Sequence, residues 1–245
     1  MSAVLPCYND VSTIGGLVDD VHEALVGLVA DVEVIVVDDG SPDGAGKLLD
    51  AMAEQRSWLR VIHHDRNRGY GQALISGFSA ARNEWVFYTD GDGQYDARES
   101  AQLVRLATVE VDVVQGYKLS RGDSWYRTVI GSVYHQTVSV VFGLRVRDTD
   151  CDFRLFRRAL LLDRPLRSTS GVICVELMWS FQDAGARFVE TPVHHYFRPS
   201  GSSQFFRLPS LTRTALQLVT LWWRLVVTRR VRRASRNGEA VAASS

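Results

Sequence analysis

The chain has 245 residues, 46% hydrophobic and 23% charged, the make-up of a folded protein large enough for one sizeable core. Its 28 basic residues balance its 28 acidic ones, which excludes a global basic surface for nucleic acid. The three cysteines, Cys7, Cys151 and Cys174, are odd in number and in no metal-ligand spacing, which argues for a reducing compartment and against a disulfide framework or zinc site.

The opening MSAVLPCYND has no basic n-region and no long apolar run, so no signal peptide is expected, and a cytoplasmic location is the expectation. Strands are expected at Ala3–Pro6, Val32–Val37, Leu59–Ile62, Trp85–Tyr88 and Val111–Val114. They are almost continuously apolar, as strands buried on both faces of a largely parallel sheet must be. Between the first two, Ile14, Leu17, Val18, Val21 and Leu25 form a helical stripe, with Ser12 or Thr13 as its cap. Leu48, Leu49 and Met52 mark a second helix, and Ala73 to Ala81 a third. This alternation predicts right-handed crossovers in an open α/β sheet, whose ligands bind at the carboxyl ends of the strands. The acidic residues fall at those ends. In the second half, Trp125–Phe142 and Val172–Ala184 read as helices, Leu160–Leu162 as a short apolar segment and Phe188–Val193 as a strand. A main domain over 1–204 is followed by a basic helix over 205–236 and a frayed tail over 237–245.

Four segments carry chemistry. Asp90-Gly91-Asp92 follows the strand WVFYT; residues i and i+2 of an extended segment project to one face, and the glycine leaves room for a ligand. Two carboxylates so placed suit a hard cation, Mg²⁺ or Mn²⁺, shared with diphosphate oxygens, although D-G is also a common turn dipeptide. Gln94 and Asp96 add oxygens to the same loop. Asp38-Asp39 ends VEVIVV, where an acid accepts hydrogen bonds from a base or ribose, or else caps a helix. In Pro6-Cys7-Tyr8-Asn9-Asp10, Tyr8 could stack on a base and Asp10 accept its hydrogen bonds; a turn with a packing tyrosine is the alternative. Asn67-Arg68-Gly69-Tyr70-Gly71 is glycine-rich and opens a helix, suiting close approach of phosphate or metal.

Taken together, these segments resemble the family 2 glycosyltransferases of the GT-A fold. PCYND looks like their P-x-Y-N-E opening, with Asp10 for the usual glutamate. VVDDGSPDGA is very similar to the corresponding stretch of dolichol-phosphate mannosyltransferases, NRGYGQALISGFSAA resembles their glycine-rich stretch, and TDGDGQYD resembles their D-x-D-x-Q. The resemblance runs from about Ser2 to Ser203. It implies that Pro6, Tyr8, Asp10, Val37 and Asp39 line a nucleotide pocket. Asp90, Gly91, Asp92 and Gln94 would hold the metal and the donor diphosphate. The segment Thr149–Arg154 resembles the acceptor side, although many relatives have a small residue and glycine where Cys151-Asp152 stand. His195-x-x-Arg198-x-x-Gly201-x-Ser203 resembles a late stretch whose arginine reaches the donor phosphates. The implied reaction is inverting transfer of a hexose from a nucleotide-diphosphate sugar, GDP-mannose or a UDP-sugar.

Two acceptors are compatible with this pattern. A polyprenyl phosphate is already anionic and needs cations rather than a base; Arg121 and Arg127 are similar in place to the phosphate-binding arginines of the lipid-phosphate branch, with Ser132 one place from its expected position. A sugar or small-molecule hydroxyl would use Asp150 or Asp152 as base. Either aspartate could instead pair with Arg145, Arg147 or Arg154. A non-catalytic nucleotide-binding or membrane-scaffolding module is disfavoured by the intact D-x-D-x-Q.

The carboxyl-terminal segment has eight arginines and no acid between Phe205 and Arg236. No stretch reaches the roughly 18 apolar residues needed to span a bilayer. Leu211, Ala215, Leu218, Trp222 and Leu225 form one stripe; Arg213, Gln217, Thr220, Arg224 and Thr228 form the opposite one. With Arg229, Arg230, Arg232 and Arg233 following, this predicts a helix on an anionic membrane surface at the cytoplasmic face, with docking on the domain as the alternative.

Overall fold

A computed structural model describes residues 1–121, 125–162, 164–197 and 208–228. Strand β1 (Ser2–Cys7) pairs in parallel with β2 (Glu33–Asp38), which pairs with β3 (Leu59–His63), while β4 (Trp85–Thr89) flanks β1 on its other side. The seven-stranded sheet has the order β3-β2-β1-β4-β6-β5-β7. β5 (Val113–Arg121) and β7 (Phe188–His195) run parallel to each other, and β6 (Phe153–Arg157) runs against both its neighbours, β4 and β5.

Alternate residues of each strand feed opposite faces. Ala3 and Leu5 of β1 join the cluster beneath α1 (Val11–Val26), α2 (Ala45–Ala53) and α4 (Ser100–Leu106), whereas Val4 joins the cluster beneath α3 (Tyr70–Ala80) and α7 (Ile173–Asp183). The expected stripe of α1 is its buried face: Ile14, Leu17, Val18, Val21 and Leu25 are all buried. Its cap differs from expectation. Asp10 occupies the cap position without a side-chain cap bond, and the Val11 N–H donates instead to Asp43 Oδ2, 2.9 Å away. Thr13 Oγ1 donates to the carbonyls of Asp10 and Gly91, each at 3.1 Å, tying the helix to the D-G-D loop. Gly77 lets α3 lie close on the sheet, since a Cβ there would sit 2.3 Å from Val4 Cγ1.

α5 (Trp125–Phe142) has the expected bounds, and the apolar segment at 160–162 is the short helix α6 (Ala159–Leu162). Two elements were not expected from the sequence, α4 and β6. The strand expected at Val111–Val114 begins two residues later and continues to Arg121.

The last described helix, α8 (Leu208–Trp222), continues as a π-helical turn over Trp223–Val227 and docks on the domain. Leu221 is 3% exposed, and Leu218, Trp222, Leu225 and Val226 pack on the α3–α7 core. The expected polar stripe does not point away as a unit. Gln217 Oε1 accepts from Ser170 Oγ at 2.8 Å, and the Arg224 guanidinium donates to the buried carboxylate of Glu176. Leu216, Val219 and Trp223 are instead exposed. Among the described residues no helix is long and apolar enough to cross a membrane.

Candidate donor and metal site

The parallel strands β1, β2 and β4 end at one edge of the sheet, and the expected site residues gather there. Asp90 and Asp92 follow β4. Gly91 between them is obligatory, because a Cβ would lie 2.3 Å from the Pro6 carbonyl oxygen at the end of β1. Pro6 is buried there, and Tyr8, two residues on, is 41% exposed and free to meet a flat ligand. Asn9 adopts φ 60° in this turn, a left-handed conformation that asparagine tolerates better than most residues, and its N–H donates to Ser41 Oγ at 3.2 Å. The Tyr8 N–H lies 3.4 Å from Asp10 Oδ2, so Asp10 braces the turn that presents Tyr8.

β6 explains the electrostatics. Thr89 pairs with Phe153 in the antiparallel ladder, so the next residues outward, Asp90 and Asp152, face each other across the sheet end. Burial, and then the carboxylates of Asp152 and Asp92, raise the Asp90 pKa well above the usual carboxylate range. Tyr70 Oη donates to Asp90 Oδ1 at 2.7 Å, which opposes the rise. Asp92 Oδ1 accepts the Gln94 N–H at 3.1 Å, across Gly93 at φ 73°. Gln94 is clamped to the end of β7: its Nε2 donates to the Tyr196 carbonyl at 2.9 Å, and the Tyr196 N–H donates back to the Gln94 carbonyl at 2.8 Å.

This donor set fits a hard divalent cation. Asp90 and Asp92 supply carboxylate oxygens whose mutual repulsion a cation would relieve. Among the described residues no group of three or more His, Cys, Asp or Glu side chains forms a complete protein cage. An ion completed by substrate phosphate oxygens and water needs only one or two protein carboxylates.

Asp152 is tied inward. Its Oδ1 accepts from Tyr88 Oη and Cys174 Sγ, each at 3.1 Å, and lies 3.7 Å from Arg154 Nη1. Arg154 is fully buried, donates to Tyr88 Oη and the Thr149 carbonyl, and so has Asp152 as its counter-charge. Of the arginines considered as partners, Arg154 is the one Asp152 meets. Asp150 is different. Burial, with Lys118 opposing and Asp148 adding to the effect, pushes its pKa up to about 6. Lys118 Nζ donates to the Asp150 carbonyl at 2.7 Å. Its own pKa is raised: burial disfavours its charge, but the carboxylate of Asp148 and the neighbouring acidic groups outweigh that.

Two expected pocket residues are placed otherwise. The Val37 side chain is fully buried under α3, within the core, and lines no open surface. Asp39 is 2% exposed. Its oxygens accept the Arg68 N–H at 2.8 Å and the Gly69 N–H at 2.9 Å, and Oδ1 lies 2.6 Å from His64 Nδ1. This carboxylate shapes the glycine-rich turn. That turn is tight from the other side as well: a Cβ on Gly69 or Gly71 would meet the carbonyl oxygens of Thr169 or Ser168 at 2.3 and 2.2 Å.

Arg121 closes β5, its backbone paired with His195 of β7; His195 also bridges to Tyr95 in the Gln94 loop. The main chain of Arg121 therefore lies beside the loop of Gln94 and Tyr95, while Arg127 falls in the first turn of α5. The side chains of Arg121 and Arg127, and all of Arg198 and Ser203, lie outside the described residues. The residues missed by sequence reasoning are Tyr88, Cys174 and His64; Tyr70 enters it only as part of the glycine-rich segment, and Arg154 only as one of three possible partners of Asp150 or Asp152. The apolar alternation Phe153, Leu155 was the available signal for β6.

The family model for Glycosyl transferase family 2 matches residues 2–164. The chain is 30% identical over 211 residues to undecaprenyl-phosphate 4-deoxy-4-formamido-L-arabinose transferase of Aeromonas hydrophila subsp. hydrophila, covering 84% of this chain and 62% of that protein. The chain thus spans less than two thirds of that relative's length. Among solved structures, glucosyl-3-phosphoglycerate synthase from Mycobacterium tuberculosis, in complex with Mn²⁺, UDP and glucosyl-3-phosphoglycerate, matches with TM-score 0.65 at 21% identity, over 90% of this chain and 78% of that one. A mannosyltransferase from Pyrobaculum calidifontis, in complex with GDP-Man and Mn²⁺, matches with TM-score 0.61 at 21% identity, over 82% of this chain and 57% of that one. These structural likenesses carry the fold, and the GT-A expectation holds.

Proposed function

The chain belongs to glycosyl transferase family 2, and on that premise we propose that it transfers a hexose from a nucleotide-diphosphate sugar to a polyprenyl phosphate, with inversion and with Mg²⁺ or Mn²⁺. The observation that carries the donor half is the meeting of Asp90, Asp92 and Asp152 at the sheet end. Asp92 and Asp152 both add to the charge felt by the buried Asp90, which a cation beside Asp90 and Asp92 would relieve, and Gly91 lets their loop pack against the end of β1. Asp90 and Asp92 would hold the metal, which when bound offsets charge on the leaving diphosphate. Gln94, clamped to β7, keeps the loop in place, and Tyr8 offers its exposed ring to the base. The neighbours solved with UDP or GDP-Man and Mn²⁺ support a donor of this class and leave GDP and UDP both open.

In the reaction, an acceptor phosphate oxygen forms a bond to the anomeric carbon as the bond from that carbon to the diphosphate oxygen breaks. The nucleophile is already an anion, so no proton has to be removed. Two anions must approach closely, and fixed cations offset their repulsion; Arg121, at the end of β5, and Arg127 are the proposed acceptor cations, with Arg198 on the donor phosphates. The name of the Aeromonas relative supports the lipid-phosphate acceptor. Exposed Leu216, Val219 and Trp223 on a docked helix, followed in sequence by Arg229, Arg230, Arg232 and Arg233, support attachment to an anionic membrane surface.

One observation favours a second reading. A carboxyl group with a pKa of about 6, as Asp150 has, is suited to act as general base toward a hydroxyl acceptor. The test is a pair of assays on Asp92→Asn and Asp150→Asn with polyprenyl phosphate and with simple sugars. The proposal expects the first variant to lose roughly 10²-fold or more in transfer and the second to lose little with polyprenyl phosphate. Loss confined to Asp150→Asn with a sugar acceptor would establish the hydroxyl reading instead.

A further inference from the structure

Residues 164–171 form a strap between α6 and α7, with α8 and its π-helical turn lying across it. Glu176 in the first turn of α7 secures both layers: it accepts the N–H groups of Arg167 and Ser168, the latter at 2.8 Å, and the guanidinium of Arg224. Between strap and helix is a cavity of about 360 Å³. Its wall holds three guanidinium-bearing residues, Arg167, Arg213 and Arg224, together with the hydroxyl residues Ser168 and Thr220, and among the described residues no acid lines it. Glu176 lies behind Arg224 and offsets one of the three charges, so two positive charges face the opening. Leu216 stands on the rim at 71% exposure, with Val219 and Trp223 exposed further along the same helix.

We propose that this cavity binds the phosphate of an anionic phospholipid headgroup, a site separate from the acceptor phosphate of the reaction. Three arginines gathered on one wall offer guanidinium N–H donors that suit a phosphate's oxygens. Leu216 on the rim, with Val219 and Trp223 exposed further along the helix, favours a lipid over a soluble phosphate, since only a headgroup arrives with acyl chains that such side chains can meet. No catalytic carboxylate borders the cavity, so occupancy does not compete with the donor.

The inference rests on the membrane reading above, and the experiment separates the two. Partition of the full chain is measured onto phosphatidylcholine vesicles and onto mixed phosphatidylcholine–phosphatidylglycerol vesicles, for the unaltered protein, for Arg167→Gln/Arg213→Gln, and for Arg105→Gln/Arg145→Gln as a charge-matched control. The expected result is a drop of roughly tenfold or more on the mixed vesicles for the cavity variant alone, with its melting temperature unchanged. Equal partition of the cavity variant and the unaltered chain, or an equal drop in the control, overturns the site while leaving membrane attachment standing. If the unaltered chain binds neither vesicle, the membrane reading itself falls. If inorganic phosphate binds the unaltered chain and not the cavity variant, while partition is the same for both, the cavity serves a soluble phosphate and the lipid assignment is wrong.

Discussion

At Asp39 an expected contact residue is a builder of the site. An acid at the mouth of β2 would accept hydrogen bonds from a nucleoside, yet its oxygens already hold the Arg68 and Gly69 N–H groups and His64. Asp39→Ala should therefore lower stability by roughly 1.5–3 kcal/mol, as loss of hydrogen bonds to a charged acceptor does, and weaken nucleoside diphosphate binding together with it. A residue that touched only the ligand would lower affinity at unchanged stability; thermal melts beside calorimetric titration tell the two apart. Asp150 gives a pH test. Its folded pKa is raised to about 6, chiefly by burial, so the stability it contributes is fully present below the ordinary aspartate pKa and is lost as the pH rises through about 6. Asp150→Asn should then melt progressively higher than the unaltered chain as the pH rises from acid to neutral. A constant difference across that range would mean that Asp150 ionises as it does in the unfolded chain.

Which elements could be read beforehand follows from what each strand buries. β1, β2 and β4 are apolar end to end because helices cover both faces, and the same runs that form the core mark them in the sequence. β6 escaped notice because its FRLFR places Arg154 where an apolar residue is expected. That arginine can be buried because Asp152 and the Thr149 carbonyl, close in sequence, and Tyr88, from the neighbouring strand, receive it. The facing of Asp90 and Asp152 depends on β6 and was hidden with it, whereas the D-G-D loop itself was legible. In α8 the stripe Leu218, Trp222, Leu225 was legible as apolar, but it packs on the domain, the alternative to the expected membrane surface, and Gln217 and Arg224 found partners there as well. Leu221→Ala should consequently cost about 2–5 kcal/mol of stability, as truncation of a buried leucine does. Trp223→Ala, 60% exposed before the change, should leave the melting temperature alone and weaken vesicle binding. Loss of stability in both variants, with no change in binding, would make this helix purely structural.

For the molecule as a whole, a sheet edge built by β1, β2, β4 and β6 gathers Asp39, Asp90, Asp92 and Asp152, and the end of β7 clamps the loop that carries Asp90 and Asp92. The carboxyl-terminal helix docks beside the strap that packs on the glycine-rich turn. The central claim is metal-dependent transfer from a nucleotide sugar to a lipid phosphate. Its most direct test is product formation on undecaprenyl phosphate from a panel of radiolabelled GDP- and UDP-sugars, measured with Mg²⁺ or Mn²⁺ and with excess chelator. The account predicts a lipid-linked sugar phosphate from at least one donor, formed with either metal and abolished by chelator. Undiminished transfer in chelator, or product only on hydroxyl acceptors, would contradict it.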